Sequence, residues 1–112
     1  MLTNKTFTFL FMLIFLPSFL IARPALSPEE RYLRKSKCFK CHSIKKKKKQ
    51  DGPAFVEIAK KYRDKENAFE EINKHITTEV EVEIDGDMKK HKPIKIKSQN
   101  HHNSIIDWIL NQ

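Results

Sequence analysis

The chain holds two cysteines, Cys38 and Cys41, and His42 follows the second directly. Cys38-Phe39-Lys40-Cys41-His42 has the spacing at which a polypeptide attaches a c-type haem. Two thiols three positions apart, on one helical turn, reach the two vinyl-derived carbons of one porphyrin edge as thioethers. The adjacent imidazole then lies under the iron and donates a ring nitrogen. Three other chemistries use a cysteine pair. A disulfide between these two would close a tiny loop and constrain little of the unfolded chain. A thioredoxin-like redox pair needs a βαβ setting, which neither flank offers. A zinc site needs two more ligands, for which His101 and His102 are the candidates.

The elements around the motif come next. Lys5 is followed by the apolar run Phe7 to Leu16, then Pro17-Ser18 and Phe19-Leu20-Ile21-Ala22. A positive start, a short apolar stretch and a small residue predict a secretory signal peptide over residues 1–22. The competing reading is a retained anchor, but Pro17 interrupts a run that would need about 20 clean apolar residues to span. Removing the leader takes away Lys5 and no acid, so residues 23–112 keep nearly all of the +8 formal charge. That balance steers the protein toward acidic partners or an anionic membrane surface. Export separates it from DNA and RNA, so nucleic acid is excluded as a partner and a periplasmic or otherwise exported location is expected.

At 112 residues the chain allows one small domain, and its 39% apolar content is partly spent in the leader. A core built from so few apolar side chains calls for a cofactor or another staple. Ser27-Pro28-Glu29-Glu30 reads as a helix start, with Ser at the N-cap, Pro at N1 and Glu closing a capping box. This helix should reach about Lys37, with Tyr32 and Leu33 buried. Lys45 to Lys49 is a run of lysines whose own repulsion makes it a solvated loop. Phe55, Ile58, Ala59 and Tyr62 recur at helical spacing, and Phe69, Ile72 and Ile76 repeat the pattern after Arg63 to Asn67. Val80, Val82 and Ile84 alternate with acids, a strand signal, and Asp85-Gly86-Asp87 is a turn. Ile94 and Ile96 alternate with lysines, so they are the expected return strand of a small hairpin. A last helix, starting near Ser98 or Asn100, carries Ile105, Ile106, Trp108, Ile109 and Leu110.

With these residues in view the chain resembles the class I c-type cytochromes, in particular the small bacterial cytochrome c-551 and c-552 type. The resemblance rests on Cys38-x-x-Cys41-His42, Gly52-Pro53-Ala54-Phe55, Ile58-Ala59-x-x-Tyr62 and Asp107-Trp108-Ile109-Leu110, and spans residues 27–112. It implies an all-α cytochrome c fold of about four helices around one covalently attached haem c, here with a small β-like hairpin inserted before the last helix. It also implies that the Pro53 carbonyl accepts a hydrogen bond from the proximal imidazole of His42. Phe39, Phe55, Ile58, Tyr62, Ile72, Trp108 and Ile109 are the expected apolar cage.

The second iron ligand is where the chain departs from the family, whose members carry a Met-Pro pair. Met88 is the one methionine outside the leader and is the first candidate for the distal axial position. His91 is the alternative, followed by Lys92, His101 or His102, and an open site. His101 and His102 are otherwise expected at a solvated helix start, and His75 at an exposed helix end. No hydrolytic triad or paired-carboxylate site is visible. The resemblance therefore implies a carrier of single electrons by outer-sphere transfer, not an enzyme. The alternative is a haem-based ligand sensor with an open or weakly held sixth position. The lysine run begins three residues after His42, so the expected partner is an acidic-faced redox protein or oxidoreductase. It would be met by a monomer in transient complexes.

Overall fold

The computed structural model describes residues 21–47 and 49–112. The predicted leader therefore lies outside the described residues except for Ile21 and Ala22, and so does Lys48 of the lysine run. Four helices and one antiparallel hairpin follow in the order α1 (Pro28–Lys35), α2 (Phe55–Tyr62), α3 (Ala68–Thr77), β1 (Val80–Ile84), β2 (Asp87–His91) and α4 (Gln99–Leu110). A short 3-10 turn, Cys38–Lys40, sits between α1 and α2. Among the described residues no helix is long and apolar enough to cross a membrane.

Helix α1 begins as its sequence requires. Ser27 Oγ accepts the Glu30 N–H at 3.1 Å, and Pro28 occupies a first-turn position where no N–H is needed. Only half of the expected capping box forms. Glu30 turns instead toward Arg34, whose Nε and Nη2 both donate to Glu30 Oε1, at 3.0 and 2.6 Å. The charged pair one turn apart outcompetes the neutral backbone donor. The helix also stops at Lys35, two residues early, because Lys37 adopts a left-handed φ of 66°. That backbone conformation ends the helical path and turns the chain into the cysteine motif.

The core is made by Leu33, Phe55, Ile72, Ile76, Ile105, Ile106 and Ile109. Helix α4 contributes one face of it, since Ile105, Ile106 and Ile109 fall at helical spacing. Phe55 of α2 meets Trp108 edge-on with ring centroids 5.3 Å apart. Arg63, just past α2, donates from Nε to Leu110 O at 3.0 Å and from Nη2 to Gln112 O at 2.8 Å. This satisfies carbonyls at the α4 C-terminus that have no partner within the helix and ties the two helices together.

The hairpin is present, but its second strand is not where alternation suggested. β2 is Asp87–His91, and Ile94 and Ile96 lie in irregular chain. Ile84 pairs with Asp87, leaving Asp85 and Gly86 as a two-residue loop with φ of 54° and 83°. Positive φ at both positions matches the right-handed twist of the strands, so pairing resumes at once after Gly86. Pro93 lacks the N–H to continue the ladder, and β2 ends before it. Beyond it the Ile94 N–H donates to Ile76 O at 2.8 Å, pinning the exit of the hairpin onto α3.

Candidate haem-attachment site

The motif is folded as one tight turn. The N–H groups of Cys41 and His42 both reach Cys38 O, at 3.2 and 3.0 Å. The loop that follows is tied back to it: Gly52 N–H donates to Cys41 O at 2.8 Å, and Phe55 N–H to Ser43 O at 2.8 Å. Gly52 is required by closeness. A Cβ there would stand 2.7 Å from His42 Cε1 and 2.9 Å from Nδ1. At the head of α2, Glu57 Oε2 accepts the Ala54 N–H at 2.9 Å. That bond, opposed by partial burial and aided by Lys46, whose Nζ is 3.4 Å away, holds the Glu57 carboxyl below its ordinary range.

His42 Nδ1 donates to Pro53 O at 2.7 Å. This fixes the tautomer and the plane of the ring, and leaves the lone pair of the other nitrogen free for a metal. Beside the ring opens a cavity of about 450 Å³. Cys38, His42 and Pro53 line one side of it, and Phe55, Ile58, Tyr62, Ile72 and Ile109 line it from the helices. A mostly apolar cavity with a few fixed polar groups is the form a cofactor site takes. Burial is the main influence on the Cys38 thiol and pushes its pKa up. Cys41 is half-buried and is not part of the cavity wall; its Sγ lies 3.9 Å from Asp51 Oδ2.

The expected cage is present with two exceptions. Phe39 and Trp108 do not line the cavity; they pack behind it, on Phe55, with centroids 5.4 and 5.3 Å away. Ile76, Val82 and Ile94 line it instead. Val82 was legible as an apolar position of an alternating strand but not as cavity wall, and Ile94 needed the contact with Ile76 to bring it in. His75 lies in the last turn of α3 as expected, but it is half-buried on the cavity wall instead of exposed, with Nδ1 2.8 Å from Glu71 O. His102 is 8% exposed and packs against Phe69, while His101 meets Tyr32 edge-on. Neither lines the cavity; His102 is buried where a solvated helix start was expected, and His101 stays partly exposed.

The two leading candidates for the distal side are separated by the hairpin. Met88 pairs with Glu83, is 62% exposed and is not on the cavity wall. His91 pairs with Val80, is half-buried and lines the cavity. Its ring centroid is 6.1 Å from that of His42, with the planes inclined at 56°. Burial, then the neighbouring His42 and His75, hold the His91 imidazole toward its neutral form, against a smaller opposing effect of the His75 backbone.

The helical frame, the thiol pair with its following imidazole and the apolar cavity together define a haem-binding fold of the cytochrome c type. A scan against protein-family models and a search of curated proteins find no match. Among solved structures the chain is similar to the class 1 cytochrome MtoD from Sideroxydans lithotrophicus ES-1. The identity is 34%, the TM-score 0.67, and the match covers 74% of this chain and 90% of that one. The chain belongs to the class 1 cytochromes, which are electron carriers and not enzymes. Its class implies a covalent haem c, with which Cys38 and Cys41 are consistent.

Proposed function

We propose that the chain is an exported monohaem cytochrome that passes single electrons between redox partners by outer-sphere transfer. Cys38 and Cys41 would hold the haem as thioethers, and His42 would bind its iron, with the Pro53 carbonyl orienting the ring. The observation that carries this reading is the His42–Pro53 hydrogen bond of 2.7 Å beside Cys38 on the wall of an apolar cavity of about 450 Å³. When bound, the haem supplies a one-electron iron couple. The protein's part is to keep that couple dry and nearly rigid. Phe55, Ile58, Ile72 and Ile109 exclude water from the cavity, and the Gly52 contact with His42 leaves the proximal ring little room to move. A site that changes little between redox states lowers the reorganisation that electron transfer requires.

Lys45, Lys46, Lys47 and Lys49 are exposed next to the motif. They supply the positive face for an acidic redox protein or oxidoreductase, with docking that weakens as salt rises. Residues 1–22 act as the export signal and residues 23–112 as the cytochrome domain, in keeping with haem attachment on the far side of the membrane. Mass spectrometry of protein made with the haem-attachment machinery tests the proposal. The polypeptide should carry the added mass of one haem through denaturation, and Cys38→Ala with Cys41→Ala should abolish it. Bare polypeptide from a competent periplasm overturns the reading.

A further inference from the structure

We infer that His91 is the second axial ligand of the haem iron, so that this cytochrome is a bis-imidazole carrier with no Met–iron bond. The inference rests on the function proposed above and on three observations of the chain itself.

The first is distance. Two imidazoles sharing one metal, each nitrogen about 2 Å from it, have ring centroids roughly 6 Å apart. The His42 and His91 rings are separated by 6.1 Å. The second is an unmet polar atom. His91 Nδ1 is buried and has no hydrogen-bond partner. His101 Nδ1 and His102 Nε2 are equally unmet, but of these three rings His91 alone lines the cavity, where an incoming group can reach it. His75 is on the same wall, and its Nδ1 bond to Glu71 O no more disqualifies it than the Pro53 bond disqualifies His42, so it is the 6.1 Å spacing from the His42 ring that selects His91.

The third is strand parity, which makes Met88 and His91 mutually exclusive. Successive side chains of a strand point to opposite faces, so residues three apart can never share one. In β2, His91 shares its face with Lys89 and stands across from Val80, on the side where Val82 lines the cavity. Met88 shares the other face with Lys90, across from Glu83 and Glu81. Bringing Met88 inward needs a one-residue slip of β2, which the two-residue Asp85-Gly86 loop forbids without a new turn. The hairpin that interrupts the helical fold is thus the device that delivers the imidazole.

Two nitrogen ligands lower the reduction potential relative to Met/His ligation and leave no free position for an exogenous ligand. The test uses the haem-loaded full chain, with attachment first verified by mass. The ferric wild type should be low-spin, with a near-infrared magnetic circular dichroism signature of two imidazoles and no Met–iron charge-transfer band. The ferrous form should not bind carbon monoxide at neutral pH. Met88→Leu should leave spectrum and potential unchanged. His91→Ala should turn high-spin and bind carbon monoxide, and His91→Met should raise the potential. A Met–iron band in the wild type, its loss in Met88→Leu, or an unaltered low-spin spectrum in His91→Ala overturns the inference while the covalent haem stands. Absence of haem mass overturns the proposed function itself.

Discussion

Replacing Gly52 by alanine tests whether proximal geometry depends on one missing methyl group. The added Cβ would lie 2.7 Å from His42 Cε1, 2.9 Å from Nδ1 and 3.2 Å from Cys41 O. Carbon atoms rest about 3.5–4.0 Å apart, so the ring must retreat by roughly 1 Å. It cannot do so freely, because Nδ1 is tied to Pro53 O at 2.7 Å and the Gly52 N–H to Cys41 O at 2.8 Å. A retreat of that size takes the Pro53 bond beyond hydrogen-bond range unless the loop follows the ring. Forcing one carbon into such a site costs about 1–3 kcal/mol. For a domain of this size that is a fall in Tm of roughly 4–24 °C. The assay is thermal unfolding of the haem-loaded protein by circular dichroism, with potentiometric titration alongside, since losing the Pro53 bond also changes the basicity of the imidazole. A Gly52→Ala protein that melts within about 2 °C of the parent, with the same potential, would refute the steric argument.

Other perturbations separate the scaffold from the site. Glu57→Gln should lower the Tm at neutral pH: the folded carboxyl lies below its ordinary 4.5, so its contribution is full above that value and lost as pH falls through the folded one. Melts across pH should therefore show the gap between parent and variant closing in acid. Ile105→Ala, at a fully buried core position that is not on the cavity wall, should cost about 2–5 kcal/mol in denaturant titrations and leave the visible spectrum unchanged. Neutralising Lys45, Lys46 and Lys47 to glutamine should slow reduction by an acidic partner at low salt and flatten its ionic-strength dependence in stopped-flow, without altering the equilibrium potential.

Several features were legible before any coordinate. The Cys38-x-x-Cys41-His42 chemistry is a matter of covalent reach within one turn. The start of α1 at Ser27-Pro28, the spacing of Phe55, Ile58 and Tyr62 in α2, and a start of α4 near Ser98 or Asn100 are equally local. Each is decided by residues within a turn or two of one another. The end of α1 was not, because Lys37 enters the left-handed region without a glycine to announce it.

Which side of an element meets the cavity was decided only by tertiary packing. The alternation of Ile94 and Ile96 pointed to a strand beyond Pro93. Only the pairing of β1 and β2 puts Met88 and His91 on one strand, opposed to each other, and decides which of them faces inward. That choice depends on β1 laying Val82 on the cavity and on the Ile94–Ile76 bond that holds the far end of the hairpin to α3. The burial of His102 against Phe69, and of His75 beside Tyr62, likewise comes from neighbours distant in the chain. Local chemistry sets what an element is and where it turns. Its facing is a property of the partners it packs on, and no residue carries that information alone.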